Sequence, residues 1–302
     1  MKLTFAAILI LSSSGATAQS LEELRQLYRY DRAAPLNLQE KEVDSRGSYK
    51  VYAISYALPR GRMAGFLVAP DGRGRKPAIV WMHSGGSIQF LGDAVLMAKA
   101  GAVSLLVSEA EGLPGGSGER IRDQYVAAVI GLRRGADLLA ARDDVDASRL
   151  ALVGHSFGAM MCAVAISIDE RFRAAVFEVG LLGMSIHIGT SPGEWAQGIR
   201  KELGAELPQF LQTISVVDAK HYIGHAPAIP KLFQAAWYDP GVPRTDAEDF
   251  FNAATGPKEL KWYDSGHDAD DIAAMADRSR FLGQKLRLNA IERVLREKVG
   301  HP

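Results

Sequence analysis

The chain has a single cysteine, no excess charge of either sign and no recognisable metal-binding motif. Cys162 is the only cysteine in 302 residues, so no intrachain disulfide can form. The 35 lysines and arginines are balanced by 35 aspartates and glutamates, and this balance gives no reason to expect a nucleic acid as a partner. No zinc-type Cys/His spacing and no H-E-x-x-H pattern occurs, so the sequence predicts no metal site.

Long apolar runs are also missing, except near the start of the chain. Lys2 gives a positive beginning, residues 3–11 are mostly apolar, and Ala16-Thr17-Ala18 matches an A-x-A cleavage site. This pattern predicts a signal peptide at residues 1–18 and export of the mature protein to the periplasm or the medium. The apolar run is too short to span a bilayer, and no later run reaches about 18 residues, so we expect no stable membrane anchor.

Short apolar runs alternate with helix-compatible stretches through most of the chain. Runs such as 77–83 and 103–107 are typical of strands buried on both faces, and residues 120–142 show apolar positions at the helical period. The alternation predicts a mostly parallel sheet with helices on both faces. Regularity breaks at about 180–230, so we expect one domain over residues 19–302 with a small cap insertion there.

One motif stands between a buried strand and an apolar helix. Residues 154–158 read G-H-S-F-G, which fits G-x-S-x-G; residues 150–153 before them and 159–168 after them are apolar. Strand, tight turn and helix form the context of a nucleophile elbow, which holds a serine in a strained backbone position. The flanking glycines remove Cβ atoms that would collide there. The motif therefore predicts Ser156 as a catalytic nucleophile.

A serine hydroxyl needs a base to take its proton, and the base needs a partner to orient it. In a parallel sheet these groups come from loops at the carboxyl ends of strands. Asp239 and His267 each follow a predicted strand downstream, and the order Ser156, Asp239, His267 is the α/β-hydrolase order. Glu178, which follows the strand after the elbow helix, is the rival acid. Four further aspartates crowd the histidine: Asp264, Asp268, Asp270 and Asp271.

An oxyanion formed at the substrate carbonyl needs preformed N–H donors. The backbone amide of Phe157, at the start of the helix, is expected to be one of them. The other is expected from the loop after the 77–83 strand, with Gly85 as first choice and Ser84 or Gly86 as alternatives. The neighbouring His83 and His155 are expected to pack or to orient loops.

Four segments together resemble the serine α/β-hydrolases, in particular the dienelactone-hydrolase-like or acetyl-esterase-like branch. The resemblance implies an α/β-hydrolase fold with an eight-stranded sheet, a Ser156-His267-Asp239 triad and hydrolysis without a cofactor. A dienelactone hydrolase proper would use a cysteine nucleophile, and haloalkane dehalogenases and epoxide hydrolases an aspartate, where this chain has Ser156. The segments are 81–86, 149–158, 233–243 and 258–267.

These features predict an exported serine hydrolase that cleaves carboxylic esters of small molecules through an acyl-enzyme. The same scaffold permits peptidase, amidase or acyltransferase chemistry, although we expect no propeller domain of the oligopeptidase type beside it. A binding protein that keeps the fold without turnover is the third possibility, and the intact triad candidates argue against it. The fold alone does not name a substrate.

Overall fold

A computed structural model describes residues 20–108 and 117–299. The signal peptide predicted at residues 1–18 lies outside these ranges. The strands are β1 (Gln39–Ser45), β2 (Tyr49–Ala57), β3 (Arg62–Pro70), β4 (Lys76–His83), β5 (Val103–Val107), β6 (Val145–His155), β7 (Phe172–Glu178), β8 (Lys231–Ala236) and β9 (Lys258–Tyr263). The helices are α1 (Leu21–Gln26), α2 (Leu91–Lys99), α3 (Gly118–Ala140), α4 (Phe157–Ile168), α5 (Met184–Thr190), α6 (Glu194–Leu203), α7 (Leu207–Ser215), α8 (Arg244–Ala253), α9 (Ile272–Leu286) and α10 (Ile291–Val299).

The strands of the described residues form one nine-stranded sheet in the order β1-β2-β3-β5-β4-β6-β7-β8-β9. The first three strands and the β3–β5 pair are antiparallel, and every pairing from β5 to β9 is parallel. The mostly parallel sheet is the one predicted. It brings the carboxyl ends of β4, β6, β7, β8 and β9 to one edge.

The expected count of eight strands is one too low because β1 carries no strand signal. Its sequence, QEKEVDS, has Val43 as its single apolar residue, and nearly all of it is exposed. Among the residues that the structure describes, the strand bonds only to β2, with an irregularity between Glu42 and Asp44. Both faces of this edge strand are solvated, so neither needs an apolar stripe. Charged edge strands also discourage pairing with other chains.

Helices cover both faces of the sheet and enclose two apolar cores. Strand β4 shows why its run of apolar residues is continuous: Val80 and Met82 enter the core on one face, and Ile79 and Trp81 enter the core on the other. The first core includes residues of α3 and α4, and the second includes residues of α2, α9 and α10. Helix α4, which follows the elbow, is buried from Phe157 to Ser167.

The 180–230 stretch between β7 and β8 contains α5, α6 and α7 with short 3₁₀ turns. Helix α7 buries Phe210 and Ile214 in the core that also contains α3 and α4, while α6 buries only Ala196. A Cβ placed on Gly193, just before α6, would lie 4.0 Å from the Pro240 carbonyl oxygen. The segment therefore reaches the loop that follows β8.

Within the described residues, no helix combines the length and the apolar character needed to cross a membrane.

Candidate active site

The elbow holds Ser156 in a backbone conformation that its sequence context imposes. The residue has φ 54° and ψ −115° and lies between the end of β6 and the start of α4. A Cβ on Gly154 would collide with the Gly158 backbone, and a Cβ on Gly158 would collide with the Met82 carbonyl of β4. Only glycine at both places lets strand, turn and helix pack this closely. Strain of this kind persists where the surrounding structure enforces it.

The loops after β8 and β9 bring two further side chains to Ser156. His267 Nε2 lies 2.9 Å from Ser156 Oγ, and His267 Nδ1 lies 2.8 Å from Asp239 Oδ2 and 3.0 Å from Oδ1. The Tyr238 N–H donates to the Ser265 carbonyl at 3.1 Å, which joins the two loops. Three residues far apart in sequence thus form one hydrogen-bonded line.

The carboxylate of Asp239 is buried and accepts several hydrogen bonds. Its side chain is 1% exposed, and Oδ1 also accepts the N–H groups of Gly241 at 2.7 Å and Val242 at 2.9 Å. An ionised carboxylate only accepts hydrogen bonds, so the proton of neutral His267 sits on Nδ1. The lone pair on Nε2 then faces the Ser156 hydroxyl. This arrangement can draw the proton from a nucleophilic serine.

The rival acid, Glu178, has a different partner. Its Oε1 lies 3.3 Å from Arg278 Nε, and Arg278 also bonds Asp93 at 2.9 and 3.0 Å. Burial raises the pKa of Glu178 to about 7, against the opposing charge of Arg278. The Glu178 carbonyl accepts the Ser156 N–H at 2.8 Å, so the residue supports the elbow through its backbone. The nitrogen of His267 that an acid would orient is held by Asp239.

Two of the candidate oxyanion donors have an N–H that another group of the protein already accepts. The Gly85 N–H, the first choice for the second donor, donates to His83 Nδ1 at 2.8 Å. The Gly86 N–H donates to the His83 carbonyl at 3.1 Å. Ser84, the other alternative to Gly85, directly follows β4 where that strand pairs with β6, and Phe157 directly follows Ser156 at the start of α4. Sequence alone does not show that the histidine two residues earlier accepts the hydrogen bond of the Gly85 N–H.

Two histidines lie beside this loop. The rings of His83 and His155 stack at 3.9 Å with an interplanar angle of 3°. Burial lowers the pKa of His83 to about 4 and that of His155 to about 3, and the proximity of the two rings lowers the pKa of His155 further. Both rings are therefore neutral at pH 7.

A cavity of about 640 Å³ opens beside the loops that carry Ser84 and His267. Carboxylates are prominent in its wall: Asp93, Glu178, Asp268, Asp270 and Asp271. In the part of the chain that is described, this cavity included, no group of three or more His, Cys, Asp or Glu side chains is arranged to hold a metal ion.

Comparisons with known proteins agree with this architecture. A family model described as the prolyl oligopeptidase family matches residues 131–277, just under half of the chain. That stretch contains Ser156, Asp239 and His267. No curated protein gives a significant match.

Solved structures show the same fold over most of the chain. Acetyl xylan esterase 1 from Thermoanaerobacterium sp. JW/SL YS485 has 17% identity and a TM-score of 0.71, and the match covers 90% of this chain and 99% of that one. For an acetyl xylan esterase from Paenibacillus sp. R4 the identity is 19%, the TM-score 0.72 and the coverage 89% and 100%.

A Pyrococcus horikoshii acylaminoacyl peptidase has 15% identity and a TM-score of 0.63, with 82% of this chain but only 44% of the peptidase covered. The predicted α/β-hydrolase fold is confirmed by these structures. The elbow, the strand order and the matches agree on one point: the chain has the α/β-hydrolase fold and is similar to the prolyl oligopeptidase family over residues 131–277 and to acetyl xylan esterases in fold.

Proposed function

We propose that this hydrolase cleaves carboxylic esters of small molecules through an acyl-enzyme, with Ser156, His267 and Asp239 as its triad. The observation that carries the proposal is the unbroken line of hydrogen bonds from Ser156 Oγ to His267 and on to Asp239. A strained serine whose Oγ lies 2.9 Å from an imidazole nitrogen is arranged for nucleophilic attack.

In the first half of the reaction, Ser156 Oγ attacks the ester carbonyl carbon and its proton passes to His267 Nε2. Asp239 stabilises the imidazolium that forms. The amides of Phe157 and Ser84 donate to the oxyanion, and His267 then returns the proton to the departing alcohol as the C–O bond breaks. In the second half, His267 takes a proton from water as the water oxygen attacks the acyl carbon. The bond between that carbon and Ser156 Oγ then breaks, the carboxylic acid leaves, and His267 returns the proton to Ser156 Oγ.

Structural similarity supports an ester over a peptide as substrate. The TM-scores are 0.71 and 0.72 for the two acetyl xylan esterases and 0.63 for the acylaminoacyl peptidase. We therefore propose a short acyl group, with acetyl first. The prolyl oligopeptidase family match favours cleavage of an amide as the second candidate function.

Two further parts of the proposal concern the chain outside the triad. The helical segment from α5 to α7 approaches the Asp239 loop at Gly193, which supports a role as a cap over the acyl or alcohol pocket. The sequence of residues 1–18 supports export after cleavage at Ala18.

The test compares Ser156→Ala with wild type on 4-nitrophenyl acetate, butyrate and octanoate and on an acetyl 4-nitroanilide. Wild type should prefer the acetate ester to the longer esters and to the anilide. Ser156→Ala should lose more than about a thousandfold in kcat, because removal of the nucleophile abolishes the acyl-enzyme.

Ser167→Ala is the matched control. Ser167 lies on the same helix as the elbow, but its hydroxyl bonds the Ala163 carbonyl, so turnover should be unchanged. Undiminished ester turnover by Ser156→Ala would refute the proposal, and faster turnover of the anilide would replace the esterase with the amidase.

A further inference from the structure

One imidazole next to the nucleophile makes a hydrogen bond to each of the two loops that face it. His155 Nε2 lies 2.7 Å from the backbone carbonyl of His267, and His155 Nδ1 lies 3.1 Å from Ser84 Oγ. We refer to residues 264–268 as the base loop and to residues 84–86 as the oxyanion loop. The His155 side chain thus connects the residue before Ser156 to both.

The partners determine the proton positions on this ring. A carbonyl oxygen cannot donate, so Nε2 carries the proton and donates to His267. In the neutral ring Nδ1 is then an acceptor, and the Ser84 hydroxyl donates to it. His155 is 1% exposed, and its burial keeps the pKa low enough for this neutral form to persist at pH 7.

The other hydrogen bonds of the two loops do not replace these. The base loop is otherwise bonded toward β8, through the Ser265 carbonyl and the Asp239 carboxylate. In the oxyanion loop, Gly85 and Gly86 donate to His83, at the end of β4. Within the described residues, His155 makes the only hydrogen bond between the base-loop backbone and the strand that carries the nucleophile.

The stack with His83 limits the movement of the ring. The two ring centroids are 3.9 Å apart and the ring planes are nearly parallel, and His83 in turn packs edge-on against Phe90. A ring fixed on one face and bonded at both nitrogens has little freedom. Its partners are consequently held at a set separation from Ser156.

We propose that His155 is a positioning residue, which holds the imidazole of His267 and the amide of Ser84 in register with Ser156 during turnover. It does not touch the substrate. Its effect should therefore appear in kcat rather than in KM, because a displacement of about 1 Å of a catalytic group can cost roughly a hundredfold in rate.

The first test is His155→Phe, which keeps a flat ring against His83 and removes both hydrogen bonds. We expect kcat for 4-nitrophenyl acetate to fall roughly tenfold to a hundredfold, with KM changed less than about threefold. His155→Gln keeps an amide donor for the His267 carbonyl, so it should recover part of the lost kcat. Lys41→Phe, which places the same ring on the exposed edge strand β1, is the control and should leave turnover unchanged.

A double-mutant cycle separates positioning from a general effect on the fold. Ser84→Ala keeps the backbone amide but removes the hydroxyl that donates to His155, and should lower kcat by about threefold to tenfold. In the His155→Phe background the same change should have no further effect, because the bond is already gone. Thermal unfolding of each variant reports whether the protein is folded at the assay temperature.

The inference rests on the proposed function, and the two can fail separately. Turnover by Ser156→Ala would refute the function itself. An inactive Ser156→Ala together with a folded His155→Phe that keeps kcat within about twofold of wild type, or with additive effects in the cycle, overturns only the role of His155. If neither variant at position 155 folds, Ser84→Ala decides, and an unchanged kcat rejects the proposal.

Discussion

Two buried carboxylates stand at the ends of neighbouring strands and have opposite environments. Asp239 follows β8, is 1% exposed at its side chain, and accepts two backbone N–H groups and an imidazole. Glu178 ends β7, is 2% exposed, and faces the guanidinium of Arg278. Either position could supply the acid of a triad, and the sequence predicted both as candidates.

The two carboxylates differ in whether their partner side chain can exchange a proton. An imidazole gains and loses a proton near neutral pH, and His267, 34% exposed at its side chain, faces the nucleophile. A guanidinium keeps its charge at every accessible pH, and Arg278 is locked between two acids inside the protein. The β8 site is therefore suited to moving a proton, and the β7 site to joining β7, α2 and α9.

The largest expected effect comes from neutralising each acid in turn, which tests whether Asp239 or Glu178 orients His267. Asp239→Asn should lower kcat for 4-nitrophenyl acetate by roughly a thousandfold to ten-thousandfold, because the amide favours the wrong tautomer of His267. Glu178→Gln should cost less than about tenfold, since Glu178 touches the elbow only through its carbonyl. The reverse order of effects would make Glu178 the acid.

A second experiment removes the cation of the β7 site. Arg278→Met leaves Glu178 and Asp93 buried without a counter-charge, and we expect a loss of about 3–5 kcal/mol in the free energy of unfolding, measured in urea. Arg280→Met, on the same helix but in an exposed pair with Glu292, should cost less than about 1 kcal/mol. Equal losses in the two variants would mean that the buried cluster does not stabilise the fold.

The smallest expected effect is the change with pH in the contribution of Glu178 to the free energy of unfolding. The pKa of Glu178 is about 7 in the fold against 4.5 when exposed, so the folded state binds more protons between these values. The contribution of Glu178 to stability is full below pH 4.5 and falls as the pH rises to 7, by at most about 3 kcal/mol. Unfolding free energies of wild type minus Glu178→Gln should show this decline between pH 4.5 and 7. A flat difference would show that Arg278 holds the carboxylate ionised throughout.

The parts of the fold that follow from local patterns were predictable from the sequence. Continuous apolar runs indicated the parallel strands, and the strand ends placed Asp239 and His267 at the same edge as Ser156. Strand β1 escaped detection because an exposed edge strand needs backbone partners and no apolar face. The choice of Gly85 rested on its small size, but whether an N–H is free depends on the side chains around it, here His83. The bonds of His155 reach across 112 and 71 residues, and no local pattern reports them.

The backbone at Ser156 has a consequence for evolution and engineering. Its φ of 54° is disfavoured for any residue with a side chain, and glycine would relax it. A selection that rewards thermal tolerance alone would thus gain from Ser156→Gly, which also removes the reactive hydroxyl. Improving the robustness of this protein without losing its chemistry requires turnover to be scored in every round.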